Sequence, residues 1–186
     1  MASKVCPASD TRGDHGTGDA ASPETMSPAE RREFGRMAET MTYFHNLFKS
    51  KWRMLHTACE TNCRPANMSM KQFLNAALEF VEHLELHHSI EEAHIFPLLA
   101  QRMPAFKKEM ELLDQHKEIH KGIAELERYV TDCRAGRREL RTEEMKAVLD
   151  GFGPVLEQHL DEEVKNLGAE NMKKYWTVEE MRRMPM

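Results

Sequence analysis

The fold class is indicated most clearly by the stretch of residues 73–97, FLNAALEFVEHLELHHSIEEAHIFP. Its apolar residues recur in steps of three or four up to Leu84, a spacing that places side chains on one face of an α-helix. The same face continues with His87 and Glu91, where a helix packed on a core normally carries apolar side chains. Pro97 is expected to kink or end this helix. The stretch therefore predicts an amphipathic helix whose buried face is interrupted by polar residues.

Three other segments have the same periodicity, and each of them also carries histidine or carboxylate on its apolar stripe. Ser27 is the predicted N-cap of the first helix, with Pro28 at the first helical position. Ser69 is the predicted N-cap of the second helix, the third begins at Pro104, and the fourth begins near Thr142. Four long amphipathic helices joined by short turns predict an all-α, up-down-up-down antiparallel four-helix bundle.

The chain is predicted to divide into three parts. Residues 1–27 are rich in Ser, Thr, Gly, Asp and Pro without periodicity, which is typical of a flexible tail. Residues 28–168 form the bundle, and residues 169–186 form a C-terminal extension. Within the extension, Thr177 and Glu180 are spaced to cap a short helix over 178–184.

Composition excludes several classes of protein. Hydrophobic residues make up 40% of the 186 positions, enough for a core, and the formal net charge is −5. This acidic balance argues against a nucleic-acid partner. Because no apolar run approaches the roughly 18 residues of a membrane span, a membrane partner is not expected either. The absence of a secretory signal and of any CxxC pair among the four cysteines predicts reduced thiols and a cytoplasmic location.

The polar interruptions are predicted to lie at one height in the bundle. In an antiparallel hairpin, two residues at the same height have numbers that average to the turn between them. His45 pairs in this way with His87. His87 pairs with position 118, the midpoint of His116 and His120, and position 118 pairs with His159. The three midpoints are 66, 102.5 and 138.5, each at or beside a predicted turn. Every helix thus contributes to a single polar layer.

The composition of this layer indicates a metal site. Residues four apart on a helix face the same way, and three such pairs of donors occur, on the second, third and fourth helices. Imidazole with carboxylate suits iron, manganese or zinc. Seven donors exceed the need of one ion, so two ions bridged by the carboxylates fit better. The seven predicted ligands are His45, His87, Glu91, His116, His120, His159 and Glu163.

One ligand has an alternative. His88 lies closer than His87 to the centre of the apolar face of its helix, and Glu91 serves either choice. By height or by place in the chain, the remaining histidines are predicted to be structural, edge or tail residues. They are His15, His56, His83 and His94.

A single histidine on the first helix followed by HxxxE, HxxxH and HxxxE resembles the hemerythrin-like (HHE cation-binding) family. The stretch HHSIEE, residues 87–92, followed by Phe96 and Pro97, is similar to the second-helix signature of that family, and its spacing to Pro97 favours His87 over His88. The resemblance implies a non-haem di-iron centre of two iron ions with an oxo or hydroxo bridge. By resemblance, Glu91 and Glu163 bridge the ions, one ion takes His116, His120 and His159, and the other takes His45 and His87.

The resemblance also implies an open position for O2 on the second ion, but one departure bears on function. The O2-carrying hemerythrins of marine invertebrates have HxxxxD on the last helix, whereas here Glu163 follows His159 by four residues. The chain therefore resembles the broader family, whose members are not all oxygen carriers. Binding of O2 or related small oxidants is the first expectation. The alternatives are a di-iron oxidoreductase acting on a small organic substrate, peroxide or nitric oxide, served by an electron donor, and an iron storage or sensing protein.

Overall fold

The computed structural model describes residues 26–107 and 111–185, and it contains no β-strand within those ranges. The predicted all-α class is confirmed. The predicted flexible tail lies outside the described residues except for Met26 and Ser27. In chain order the helices are α1 (Pro28–Glu60), α2 (Met70–Ile90), α3 (Phe96–Leu99), α4 (Glu111–Arg134), α5 (Thr142–Asn166), α6 (Ala169–Met172) and α7 (Val178–Met181).

Capping chemistry explains where the first two helices begin. The Ser27 side chain accepts the Glu30 N–H, and the Glu30 carboxylate accepts the Ser27 N–H at 2.8 Å, which completes a capping box before α1. Ser69 and Gln72 form the same arrangement before α2. Both predicted helix starts are confirmed. At α5, Thr142 is the first helical residue and Arg141 occupies the N-cap position.

The third long helix does not begin at Pro104, as its sequence suggests. Pro104–Phe106 form a single 3-10 turn, and the following Lys107 is extended, with φ −72° and ψ 150°. A helix cannot run through a residue in that conformation, so the third long helix, α4, begins after Lys107, and it is described from Glu111 onward.

The second helix widens before Pro97. Glu91–Ile95 form a π-helical turn in which the Phe96 N–H donates to the Glu91 carbonyl, and the short helix α3 follows. Proline has no N–H, and its ring crowds the carbonyl four residues earlier, which a wider turn relieves. The kink or stop predicted at Pro97 is therefore a local change of winding, and it falls at the level of Glu91.

Contacts between the long helices pair residues whose numbers run in opposite directions. As the residue number rises along one helix, the number of its partner falls. The pairs are Lys49–Asp161 and His56–Asp150 for α1 with α5, Gln115–Glu162 and Tyr129–Glu144 for α4 with α5, and Lys51–Glu79 and His45–His87 for α1 with α2.

The apolar core consists of two clusters. The first cluster contains Phe80, Leu126 and Phe152, and the second contains Phe34 and Phe96. On α1 and α4, and on α2 and α5 together with the residues that follow each of them, buried polar side chains separate the two clusters in the sequence. These are His45, His88, Glu91, Gln115, His116, His159 and Glu163. The polar layer is thus enclosed by apolar packing on both sides, which excludes water from it.

The C-terminal extension completes the second cluster. Met172, Trp176 and Met181 are buried there. The Arg102 guanidinium lies 4.5 Å from the centre of the Trp176 ring and pairs with Glu180. The predicted cap of Thr177 with Glu180 is present, and α7 ends at Met181, earlier than predicted. None of the helices in the described ranges is both long and apolar enough to cross a membrane.

Candidate metal centre

Two groups of donor atoms lie side by side in the polar layer. Within each group, the donor atoms are all within 4.8 Å of one another. The first group consists of His88, Glu91, His116 and His159, and the second of His45, His87, Glu91 and Glu163. Because Glu91 belongs to both groups, one carboxylate can serve two neighbouring cations.

Many of these donor atoms lack a hydrogen-bond partner. Both carboxylate oxygens of Glu91 and of Glu163 are buried without one, as are Nε2 of His45 and Nε2 of His87. These atoms instead face one another: His87 Nε2 lies 2.8 Å from Glu91 Oε1 and His45 Nε2 lies 3.3 Å from Glu163 Oε2, without the geometry of a hydrogen bond. An unpaired buried carboxylate costs several kcal/mol, because the protein interior solvates charge poorly. Cations would supply the missing partners, so the residues present fit a metal centre.

Three imidazoles are oriented by hydrogen bonds on the side away from the centre. In each case Nδ1–H donates a hydrogen bond to an oxygen, which leaves the lone pair on Nε2 for a metal ion. The pairs are His45 with the Leu160 carbonyl at 3.0 Å, His116 with Glu92 Oε1 at 2.7 Å, and His159 with Gln115 Oε1 at 3.3 Å. These contacts hold the rings in the tautomer that a metal ion requires.

The orientation of His116 and His159 also favours a cation. Their Nε2 atoms lie 3.1 Å apart. Because the Nδ1 atoms hold the protons, two lone pairs face each other and repel unless a proton or a metal ion screens them. Burial lowers the pKa of both imidazoles, which disfavours the proton.

Burial sets the protonation of the other donors in the same sense. It lowers the pKa of His87 to about 3, with His45 and His116 adding to the shift. It also lowers the pKa of His88, and it raises the pKa of Glu91 well above its usual range, with the charge of Glu163 adding to that rise. The imidazoles are therefore neutral, which is the form that binds metals.

The structure brings six of the seven predicted ligands into the two groups, and His120 is the exception. The His120 side chain is 36% exposed, and its Nε2 lies 3.8 Å from Glu92 Oε1, outside both groups. His88 stands with His116 and His159 instead: it is fully buried, and its ring stacks on that of His116 at 3.9 Å. The role of each residue as a ligand stays a prediction.

Both alternatives for the second helix face the interior. His87 belongs to the group on the α1 side and His88 to the group on the α4 side, so they are not mutually exclusive. His88 follows Leu84 by four residues and so continues the apolar stripe of α2. This spacing indicates from the sequence that His88 faces the interior.

The sequence interpretation missed Gln115 as a partner of the centre. Gln115 is buried, holds His159 Nδ1, and donates from Nε2 to Glu162 at 2.8 Å. A detectable signal existed, because Gln115 lies three residues after Leu112 and four before Ile119 on the buried stripe of α4.

The other histidines lie outside the two groups. His56 Nε2 is 2.7 Å from Asp150 Oδ1, and its ring stacks on Trp52 at 4.6 Å, in line with the structural role predicted for it. His83 and His94 are exposed. His15 lies outside the described residues.

Comparison with known proteins agrees with this geometry. A sequence model described as hemerythrin HHE cation binding domain matches residues 36–169. A protein of Cryptosporiopsis sp. (strain 8999), named dimeric xanthone biosynthesis cluster protein R11, is 28% identical over 151 residues, covering 76% of this chain and 55% of that protein. The chain thus spans just over half the length of this curated relative. No solved structure matches the chain. Since the family match covers α2, α4, α5, most of α1 and every donor of the two groups, the resemblance is confirmed, and the chain belongs to the hemerythrin HHE cation-binding family.

Proposed function

We propose that this chain is a non-haem di-iron protein that binds O2 or a related small oxidant inside its helical bundle. The observation that carries the proposal is the pair of buried donor groups that share Glu91. Two groups joined by one carboxylate fit two adjacent ions better than a single ion. The unpaired oxygens of Glu91 and Glu163 support the same conclusion.

The donor chemistry supports iron. Neutral imidazoles and carboxylates together suit iron, with manganese and zinc as competitors. When bound, a pair of iron ions supplies reversible one-electron redox chemistry and a coordination position for a small molecule. The second group offers two imidazoles against the three of the first, which favours an open position on its ion.

The residues around the second group favour a small apolar ligand. His87 is the most exposed donor of the two groups, with 11% of its side chain accessible. The rings of Phe44 and Phe48 lie 5.8 and 5.0 Å from the His87 ring. A molecule such as O2 would meet these aromatic side chains before the donors, and they would keep bulk water away.

We also infer the up-down-up-down order of the long helices. The falling partner numbers along α1 with α2, α1 with α5, and α4 with α5 support antiparallel neighbours in each case. This order explains the centre, because antiparallel helices bring one donor-bearing stretch of each to the same height.

A second candidate function is that of a di-iron oxidoreductase acting on a small organic substrate with an electron donor. The similarity to a protein named for a dimeric xanthone biosynthesis cluster favours it. Glu163, in place of the aspartate of the oxygen carriers, is consistent with either function. The free thiols of Cys59, Cys63 and Cys133 support the cytoplasmic location, where a cellular reductant is available.

Metal content tests the first part of the proposal. We expect the protein produced with iron to hold two ions per chain by elemental analysis, with a visible spectrum that changes on reduction. His45→Ala should lose metal, because it removes a donor of the second group. His56→Ala is the matched control, since it removes an imidazole from the same helix outside both groups. A colourless protein that holds only zinc would exclude di-iron function.

Oxygen uptake separates the two candidate functions. A carrier takes up about one O2 per pair of ions after reduction and releases it under vacuum. An oxidoreductase consumes O2 or another oxidant continuously when a reductant and a substrate are supplied, and this turnover disappears in His45→Ala. Uptake that is neither reversible nor catalytic would contradict both.

A further inference from the structure

A third group of donors lies at the edge of the polar layer, between α2 and α4. It consists of Glu92, His116 and His120, with donor atoms within 4.8 Å of one another. We propose that Glu92 and His120 form an outer cation-binding pair through which metal ions reach the buried centre. This inference rests on the proposed function, because it requires that ions occupy the two inner groups.

Exposure distinguishes this pair from the inner donors. The side chains of Glu92 and His120 are 42% and 36% exposed. Among the donors of the two inner groups, the largest exposure is the 11% of His87. A hydrated ion therefore meets Glu92 and His120 directly, and their oxygen and nitrogen atoms can replace part of its water shell.

The partly exposed side of His87 is less suited to the entry of ions. It is flanked by Phe44 and Phe48, whose rings offer no ligand atoms to a cation that must lose water. Since removing the water from a charged group without replacing it is costly, a hydrated ion should avoid this side. The polar surface formed by Glu92 and His120, called the mouth below, is the favoured route for ions. The aromatic surface at His87 remains for apolar molecules.

The charge of Glu92 is also available to a cation. Its ion pairs are with the imidazoles of His116 and His120, and none of its pairs in the described ranges involves lysine or arginine. Two exposed carboxylates on neighbouring helices are instead paired with ammonium groups, Asp114 with Lys117 and Asp161 with Lys49. Glu92 is therefore placed to attract an ion electrostatically.

The donors continue without interruption from the outer pair to the centre. His116 connects the two places, because its Nδ1–H donates to Glu92 while its Nε2, the ligand atom, faces His159. The ring of His88 lies 5.3 Å from that of His120, and both its nitrogens are buried without a hydrogen-bond partner. An ion leaving His120 can thus pass to His88 without losing all its protein ligands.

Adjacent glutamates can serve both places because neighbouring side chains leave a helix in directions about 100° apart. Glu91 is directed to the two inner groups, while the next residue, Glu92, is directed to the mouth. The proposal also assigns a role to His120 that differs from that of an inner ligand: it binds ions in transit and is not needed to retain them.

Loading kinetics test this inference. Metal-free protein is mixed with Co²⁺ in a stopped-flow instrument, and the absorbance of bound Co²⁺ is followed to its end point. We expect loading to be slower by on the order of tenfold in Glu92→Gln and in His120→Ala. In His120→Ala, the final number of ions and the end-point spectrum should match the wild type. Glutamine still accepts the His116 Nδ1–H, so Glu92→Gln removes the charge while keeping the ring oriented.

The matched control is a Glu/His pair that is also exposed but lies away from Glu92 and His120. Glu82→Gln with His83→Ala makes the same change in charge and donors at exposed positions of α2. It should load at the wild-type rate. Raising the salt concentration should slow wild-type loading and affect Glu92→Gln less, because salt screens the attraction.

Two results would overturn the inference. One is an unchanged loading rate in both mouth variants. The other is loss of a bound ion, or an altered end-point spectrum, in His120→Ala, which would make His120 an inner ligand as the family resemblance implies. A wild-type protein that binds no Co²⁺, Fe²⁺ or Zn²⁺ would instead contradict the proposed function itself, and the loading route would fall with it.

Discussion

Glu91 and Glu163 are buried carboxylates whose four oxygens lack hydrogen-bond partners. At the scale of single residues, these oxygens lower the stability of the metal-free chain and raise its affinity for metal ions. Each unpaired carboxylate destabilises the fold by several kcal/mol unless it is protonated or bound to a cation. The same oxygens are strong ligands once an ion is present.

Glu91→Gln should therefore change stability in opposite directions in the two states. In the metal-free protein, the neutral amide should raise the free energy of unfolding by about 1–3 kcal/mol. In the metal-loaded protein, loss of the shared ligand should lower it. Urea unfolding with and without a chelator measures both. Destabilisation of the metal-free protein by this substitution would show that the 2.8 Å contact of Glu91 with His87 Nε2 stabilises the fold.

The buried imidazoles make the metal-free protein sensitive to acid. Burial lowers the pKa of His87 from 6.5 to about 3, and it lowers those of His88 and His159. Their stabilising contribution is present above pH 6.5 and is lost as the pH falls through the folded-state pKa values. Glu91 acts in the opposite sense, because its raised pKa favours folding below its unfolded-state pKa and costs stability as the pH rises.

More imidazoles than carboxylates have shifted pKa values. We therefore expect the urea concentration at the unfolding midpoint of the metal-free protein to decrease as the pH is lowered from 6.5 to about 4. His87→Gln should make this fall shallower, since glutamine takes up no proton. A midpoint that is independent of pH over this interval would contradict the burial of neutral imidazoles.

At the scale of helices, the distance between α4 and α5 sets the separation of His116 and His159. Gly122 lies where these helices meet: a Cβ added there would be 2.5 Å from the Phe152 side chain, including its Cβ. The absence of a side chain at this position therefore allows the close approach of the two helices.

Gly122→Ala should force α4 and α5 apart. We expect a loss of about 1–3 kcal/mol of stability and weaker metal binding, because the donors of the first group separate. Gly151→Ala is the matched control in the same pair of helices. A Cβ there meets nothing within 4 Å, and the substitution should stabilise α5 by about 0.5–1 kcal/mol. Equal effects of the two substitutions would show that the close approach is not required.

At the scale of the whole molecule, the centre depends on the apolar cluster at each side of it. The second cluster is completed by the C-terminal extension, through Met172, Trp176 and Met181. Residues far from the donors in sequence thus help to keep water from them.

Trp176→Ala should destabilise the protein by about 3–5 kcal/mol, because it leaves a large cavity in this cluster. It should also speed the loss of bound metal to a chelator, since water gains access to the layer. Tyr43→Ala removes an exposed aromatic side chain and should change stability by no more than about 0.5 kcal/mol. Unchanged stability in Trp176→Ala would mean that the extension is dispensable.

Removal of the metal should lower the melting temperature of the whole chain. Ions that bind only the folded state stabilise it by about 2.7 kcal/mol at a hundred times their dissociation constant. Calorimetry before and after chelation measures this difference. The effect should be smaller in a double variant, His45→Ala with Glu163→Ala, which lacks two donors of the second group and keeps all four of the first.

Much of this architecture follows from local rules that act along the chain. Periodicity and capping residues predicted the helices at Ser27 and Ser69, because side-chain direction on a helix depends only on spacing. The arithmetic of heights placed His45, His87 and His159 in one layer, because antiparallel helices rise by the same amount per residue.

Packing between helices was needed for the remainder. Whether His88 or His120 faces the centre depends on the rotation of α2 and α4 against their neighbours, and spacing along one helix leaves that rotation open. Packing also decides that Glu91 rather than Glu92 reaches the centre, since adjacent side chains leave a helix in directions about 100° apart. Gln115 became part of the centre only through contact with His159, a residue of another helix. Such contacts between distant parts of the chain are set by the joint packing of all four helices, which no single segment specifies.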